Sequence, residues 1–132
     1  MSTFHLKVLT VDKVFFEGDV ESIVVRTTQG DVGVLPRHVK YLAALGIGPL
    51  TIIADGKTRI AAVAGGFVDV SKDQTVILAR TCEWADEIDL NRAKEAEERA
   101  KARLQQKLSE HEQDVANIKL KKAINRIRVA KK

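Results

Sequence analysis

The sequence predicts an α+β chain, an N-terminal antiparallel β-sandwich followed by a C-terminal two-helix antiparallel hairpin, on three observations. All eight glycines and both prolines fall between Gly18 and Gly66, which leaves the second half of the chain without either breaker. β-branched residues are plentiful up to Glu83, and Ala, Glu, Lys, Arg and Gln take over from about Ala85, a change from strand to helix chemistry. Charge divides in the same region. Residues 1–84 carry nine basic and nine acidic side chains, residues 85–114 six and nine, and residues 115–132 seven and none. A neutral β domain over 1–84 is thus followed by a helical region over 85–132 that is first acidic, then basic.

The strands are read from alternation and turn signals. Phe4–Thr10 alternates with a period of two, and Val20–Thr27, Leu50–Ile53, Arg59–Ala64, Phe67–Val70 and Thr75–Ala79 are further candidates. Gly30, Asp55-Gly56, Gly65-Gly66 and Ser71-Lys72-Asp73 punctuate them, as in a sandwich or flattened barrel. Ala93, Ala96, Ala100, Leu104 and Leu108 recur at helical spacing, as do Ala116, Leu120, Ala123, Ile127 and Ala130, with a connection expected near Ser109–Glu112. Two seams made mostly of alanine bury little apolar area. The hairpin therefore needs a surface to dock on.

Composition narrows the function classes. Apolar residues are 45% and charged residues 30% of a 132-residue chain with net charge +4, as expected of a globular protein. No run approaches the roughly 18 apolar residues of a membrane span, and no secretory leader is evident. The single cysteine, Cys82, rules out an internal disulfide, so a reducing, cytosolic setting is the expectation. Gly56-Lys57-Thr58 imitates the end of a phosphate-binding loop, but Thr51 stands where that motif needs glycine, and Asp55-Gly56 reads as a hairpin turn. His5, His38 and His111 lack metal-ligand spacing, no serine sits in a nucleophile elbow, and Cys82 beside Glu83 is not electropositively activated. No catalytic constellation emerges, so a non-catalytic chain is expected.

The acid-free stretch from Lys119 to Lys132 suits an acidic protein surface, a helix-paired or solvated face, or nucleic-acid phosphates. All six aromatics lie at or before Trp84, so no ring is available beside it for base stacking. A basic helical nucleic-acid adaptor is accordingly the competing class, and absence of nucleic acid is the expectation.

Several segments together resemble the epsilon subunits of bacterial F-type ATP synthase. Gly30-Asp31-Val32-Gly33-Val34-Leu35-Pro36-Arg37-His38 is similar to that family's Gly-Glu-hydrophobic-Gly-hydrophobic-Leu-Pro-Gly-His signature, with Asp31 for Glu and Arg37 for Gly. Ala64-Gly65-Gly66-Phe67-Val68-Asp69-Val70 resembles its Gly-Gly-Phe strand, and Val20-Glu21-Ser22-Ile23 and the two-helix tail also match. The resemblance implies a sandwich of about ten strands in the central rotor. It implies binding to the gamma subunit and the ring of c subunits, with the basic helix reaching the alpha/beta catalytic head and inhibiting ATP hydrolysis when the hairpin extends. The implied location is peripheral, on the cytoplasmic face of the bacterial membrane, without insertion into it.

Ile88-Asp89-Leu90-Asn91-Arg92-Ala93 further resembles the Ile/Leu-Asp-x-x-Arg-Ala pattern of family members that bind ATP. This implies ATP as a regulatory ligand, with Mg²⁺ as its possible companion, held by Glu83, Ile88, Asp89, Arg92, Ala93, Arg99, Lys122 and Arg126. Arg92 and Arg99 are seven apart and share a helix face, and Lys122 and Arg126 are four apart on the second helix, so folding brings cations around a polyphosphate. Ala93 implies close approach of an adenine ring, and Glu83, Asp89 and backbone near Ile88 imply contacts to its amino group or the ribose. Without a ligand, Asp89 reads as a helix cap, and Arg92 and Arg99 as partners of Glu95 and Glu98.

Overall fold

A computed structural model describes residues 2–132. Seven strands run in chain order: β1 (Phe4–Leu9), β2 (Val14–Val20), β3 (Ser22–Thr27), β4 (Gly30–Val34), β5 (Tyr41–Ala54), β6 (Lys57–Val70) and β7 (Thr75–Trp84). A short 3₁₀ turn, Ala85–Glu87, leads to α1 (Leu90–Leu104) and α2 (Glu110–Ala130). The strands form one folded sheet in the order β2-β1-β7-β6-β5-β3-β4.

Two expectations change. Seven strands replace about ten, because β5, β6 and β7 are long and each serves both layers. Their pairing skips a step at one level: Leu45↔Gly66 is followed by Ile47↔Ala64, and Gly66↔Ala79 by Ala64↔Thr81. Gly65 and Gly66 take φ of +79° and +120° there, a backbone that only glycine adopts without strain. Counting each half of the three long strands separately recovers ten. The sheet is also not wholly antiparallel, since β1 pairs parallel with β7, from Leu6↔Thr75 to Leu9↔Leu78. These strands are remote in sequence, so no hairpin turn dictates opposite directions.

The core is the alternation made solid. Leu6, Val8, Ile23, Leu50, Ile52 and Ile77 are all 1% exposed or less, and no helix residue belongs to this cluster. The predicted Asp55-Gly56 turn joins Ala54 to Lys57 with φ of 52° and 71°, the signature of a two-residue hairpin. Arg37, in the family's usual glycine position, still takes a φ of 68°.

Both helices start at side-chain caps. Asp89 accepts the Arg92 N–H at 3.1 Å, and Ser109 exchanges hydrogen bonds with Glu112 (3.2 and 3.3 Å) in a capping box. This second cap places Leu108 in the connection rather than on the α1 seam. Ala93 and Ala100 of α1, and Ala116 and Ala123 of α2, are buried at sevenfold spacing, so the alanine seams are real and close.

Candidate functional site

A cleft of about 1080 Å³ opens between the hairpin and the β6–β7 end of the sandwich. Its sandwich wall includes Ala62–Ala64, Arg80–Glu83 and the β1–β2 turn, and its helical wall comes from α1 and α2. Four predicted residues line it: Glu83, Arg99, Lys122 and Arg126. β7 delivers Glu83 to the register opposite Ala62, and α2 carries Lys122 and Arg126 one turn apart.

The two carboxylate–guanidinium pairs within the cleft are already made. Arg126 donates to Glu83 through both Nε (2.7 Å) and Nη2 (3.2 Å), a fork-to-fork contact across 43 residues. Arg103 Nη2 donates to Glu112 at 2.6 Å, while its Nη1 donates to Gln106, also at 2.6 Å, which staples the helix connection. Hydrogen bonds from the Ser109 backbone and side chain, then Arg103, hold the Glu112 carboxyl below its ordinary value of 4.5. Among the described residues Lys13, Arg80, Arg99, Lys119 and Lys122 line the cleft without an ion pair, and Asp12 is the one unpaired carboxylate facing them. The Cys82 thiol, also on the wall, is pushed up to about 12 by burial and by the Glu83 charge, with Lys13 opposing. It is an inert thiol at neutral pH.

The other predicted residues lie beside the cleft rather than in it. Asp89 is the α1 cap, and Arg92 is exposed on the first turn. Ile88 (8% exposed) and Ala93 (0%) are sealed in a small apolar cluster with Ala62 and Val129. No space remains above Ala93 in this state, because Val129 and Ala62 occupy it. Arg92 and Arg99 do not pair with Glu95 or Glu98.

Three contributors escaped the sequence reading. Asn125 Nδ2 donates to the carbonyls of Gly48 (3.1 Å) and Val63 (3.4 Å), tying α2 to adjacent β5 and β6 backbone. Lys13 and Arg80 bring sandwich charge to the cleft. An uncharged amide in the basic second half of α2 was the one available signal for Asn125. Nothing local marks the other two.

Comparison with known proteins gives the same architecture. The family model for the ATP synthase delta/epsilon chain β-sandwich domain matches residues 3–85, and that for the delta/epsilon long α-helix domain matches 86–131. The chain is 44% identical over 133 aligned positions to an ATP synthase epsilon chain of Ruminococcus albus, covering 100% of this chain and 99% of the relative. It is 44% identical over 131 positions to that of Caldanaerobacter subterraneus, covering 98% and 95%. Among solved structures, a chain of the Euglena gracilis mitochondrial ATP synthase OSCP/F1/c-ring assembly superimposes with a TM-score of 0.84 at 25% identity, over 93% of this chain and 78% of that one. The sandwich and the two-helix tail therefore both match one family over nearly the whole chain, and this chain is a member of the ATP synthase epsilon chain family.

Proposed function

We propose that the chain is a non-catalytic rotor subunit that couples the c-ring to the catalytic head, restrains ATP hydrolysis through its helices, and takes ATP as a regulatory ligand in the cleft. The observation that carries the regulatory reading is the cleft itself, where five unpaired cations from both domains face a single unpaired carboxylate. Such walls repel each other when the hairpin is docked, and a polyphosphate relieves that repulsion while bridging the domains. ATP thereby favours the docked hairpin over the extended, inhibitory form. Mg²⁺ would accompany the phosphates, whose oxygens are its ordinary ligands.

The sandwich supplies docking surface for gamma. On its outer face Val14, Leu9, Leu78, Phe67 and Ala44 lie in register across five adjacent strands, and Val14, Leu78 and Phe67 are each more than half exposed. The exposed Leu35 and Val39 flank the Arg37 turn and suit the c-ring. The run of seven cations in α2 and the following Lys-Lys suits an acidic surface of the alpha/beta head. The same proposal places the chain peripherally on the cytoplasmic face of the membrane; among the described residues no helix is long and apolar enough to cross a membrane.

Melting of the full chain, followed at 222 nm with and without ATP and Mg²⁺, tests the ligand. Binding to the docked state alone stabilises it by about 2.7 kcal/mol at a hundredfold excess over Kd. Hydrolysis by the assembled enzyme should then be less inhibited at high ATP. An unshifted melt would leave a rotor subunit without nucleotide binding, a second reading favoured by the sealed Ala93 and the internally paired Arg126.

A further inference from the structure

Three titratable side chains cluster at a free edge of the sheet, outside the cleft: His5, Glu17 and Asp19. β2 ends the strand order and has β1 as its ladder partner. His5 of β1 stands directly opposite Asp19 of β2, and Lys7 opposite Glu17, so all four side chains project from one face of the pair. The His5 ring lies between the two carboxylates. Its Nε2 is 3.0 Å from Glu17 Oε2, and its Nδ1 is 3.2 Å from Asp19 Oδ1. An ionised carboxylate only accepts hydrogen bonds, and a neutral imidazole has one N–H and one bare nitrogen. Both contacts are therefore hydrogen bonds only while the ring is an imidazolium that donates from each nitrogen. Removal of one proton leaves a lone pair facing a carboxylate oxygen at the same distance, and that contact becomes repulsive. The bonds to Glu17 and then Asp19 accordingly raise the ring above its ordinary 6.5, with desolvation opposing, and the His5 contact holds Glu17 below its ordinary 4.5. On the other side of β1, β7 presents Thr75 and Val76, neither titratable, and the turn before it carries Lys72 and Asp73. Among the described residues the charges that act on the ring are those of Glu17 and Asp19, while Lys7 acts on Glu17.

We propose that His5, Glu17 and Asp19 form a proton-gated clasp that fastens the edge strand β2 to β1, closed while the ring carries both protons and opened when one leaves. The clasp is separate from the nucleotide reading and shares no residue with the cleft. An edge strand can open without disturbing the rest of its sheet, so a contact at that edge sets local opening rather than global stability. The strand it fastens carries Phe15 and Phe16, whose rings lie 4.4 and 6.1 Å from Trp84 at the end of β7. How firmly those aromatic contacts are held thus follows the clasp. Because the ring is raised in the fold, the clasp contributes fully below 6.5, and its contribution is lost as pH rises through the folded value. Each unit by which the folded value exceeds that of the opened strand multiplies the opening ratio about tenfold between the two limits.

The test uses the full chain. Proton NMR of the histidine rings, with the His5 signal assigned by its loss in His5→Gln, gives the folded titration midpoint. Amide hydrogen exchange, corrected for the intrinsic rate at each pH, gives the opening ratio of the β1–β2 ladder, with the β5–β6 ladder as reference. The wild-type midpoint should lie above 6.5 and should fall to 6.5 or below in Glu17→Gln/Asp19→Asn. Protection of the β1–β2 amides should drop about tenfold for each unit of that excess as pH passes through the midpoint. The β5–β6 protection should stay level, and the double variant should show no drop. Both substituted side chains are exposed and keep their shape, and wild-type protection of β5–β6 in the variant confirms that it folds. A wild-type midpoint at or below 6.5, a β1–β2 protection that does not follow the midpoint, a drop shared by β5–β6, or one that persists in the double variant overturns the proposal.

Discussion

Asn125→Ala separates docking of the hairpin from the stability of its helices. The amide joins α2 to carbonyls of Gly48 and Val63, both buried residues, and the substitution leaves those acceptors without this donor. Such a loss costs about 1–3 kcal/mol. At the same time alanine is the better helix former by about 0.6 kcal/mol, so α2 itself is strengthened. The two effects oppose, and the docking loss is the larger, leaving a net cost of about 1–2 kcal/mol. A change of that size multiplies the undocked population by about 5–30. Far-UV ellipticity at 222 nm should show the helical transition moving to lower temperature, while near-UV ellipticity of Trp84 should not move. Trp84 reports the sandwich, because it stacks on Phe15 at 4.4 Å and lies under the Arg59 guanidinium at 3.6 Å. An unchanged or raised helical transition would show that the Asn125 contacts do not hold the hairpin, and that the alanine seam and apolar cluster suffice.

Other perturbations probe the rest of the molecule. Gly66→Ala would drive a methyl group into the Leu78 carbonyl and to 2.9 Å from Ala79 Cα, in addition to the φ of +120°. A loss of about 3 kcal/mol or more is expected, visible as a denaturant midpoint far below wild type with unchanged slope. Arg37→Gly should stabilise the sandwich by up to about 1 kcal/mol, since it removes the left-handed strain at φ 68°, and chemical denaturation measures it. For the connection, the folded pKa of Glu112 lies below its ordinary 4.5. Its contribution is therefore fully present above that value and fades as pH falls through the folded value. Helical melting should lose stability with acidification below pH 4.5, and Glu112→Gln, which keeps a capping-box side chain, should flatten that slope.

Most of the fold was legible because local pattern and tertiary need coincide in it. β1, β3 and the first half of β7 bury alternate residues, and alternation is what a sequence displays directly. β2 was missed because Phe15 and Phe16 are adjacent and both half-buried, while its partner β1 carries a register shift at Val8/Leu9. The first half of β5 was missed for a different reason. Ala43, Ala44, Gly46 and Gly48 give it weak strand chemistry, and Gly48 is small because a Cβ there would lie 2.5 Å from Arg26 Cβ. A steric demand made by a strand about twenty residues earlier leaves no periodic trace. The same logic divides the site. Asp89 was readable as a cap because a cap acts within three residues, whereas Ser109, read as part of a connection over Ser109–Glu112, turns out to cap α2 with Glu110–Glu112 as its first turn, and the cleft joins Lys13, Arg80 and Lys122 across most of the chain.

The two parts of the molecule are held by unequal means. The sandwich has its own cluster of fully buried Leu, Ile and Val side chains. The hairpin meets it through a cluster of four buried residues, of which two are alanine, together with one ion pair and one bidentate amide. Glu83 and Arg126 are about a third exposed, so their pair is worth on the order of 1 kcal/mol, and each amide contact is of similar size. Set against this are five unpaired cations, facing one unpaired carboxylate, along the space between the same two surfaces. On the proposed reading, contacts worth a few kcal/mol opposed by this charge would give a docking equilibrium that a change of one or two charges can tip. The apolar cluster fixes where the hairpin docks, and on the proposed reading the charge around the cleft would set how often it does so. That division would let a ligand or an acidic partner surface move the helices without loosening the sandwich that carries them.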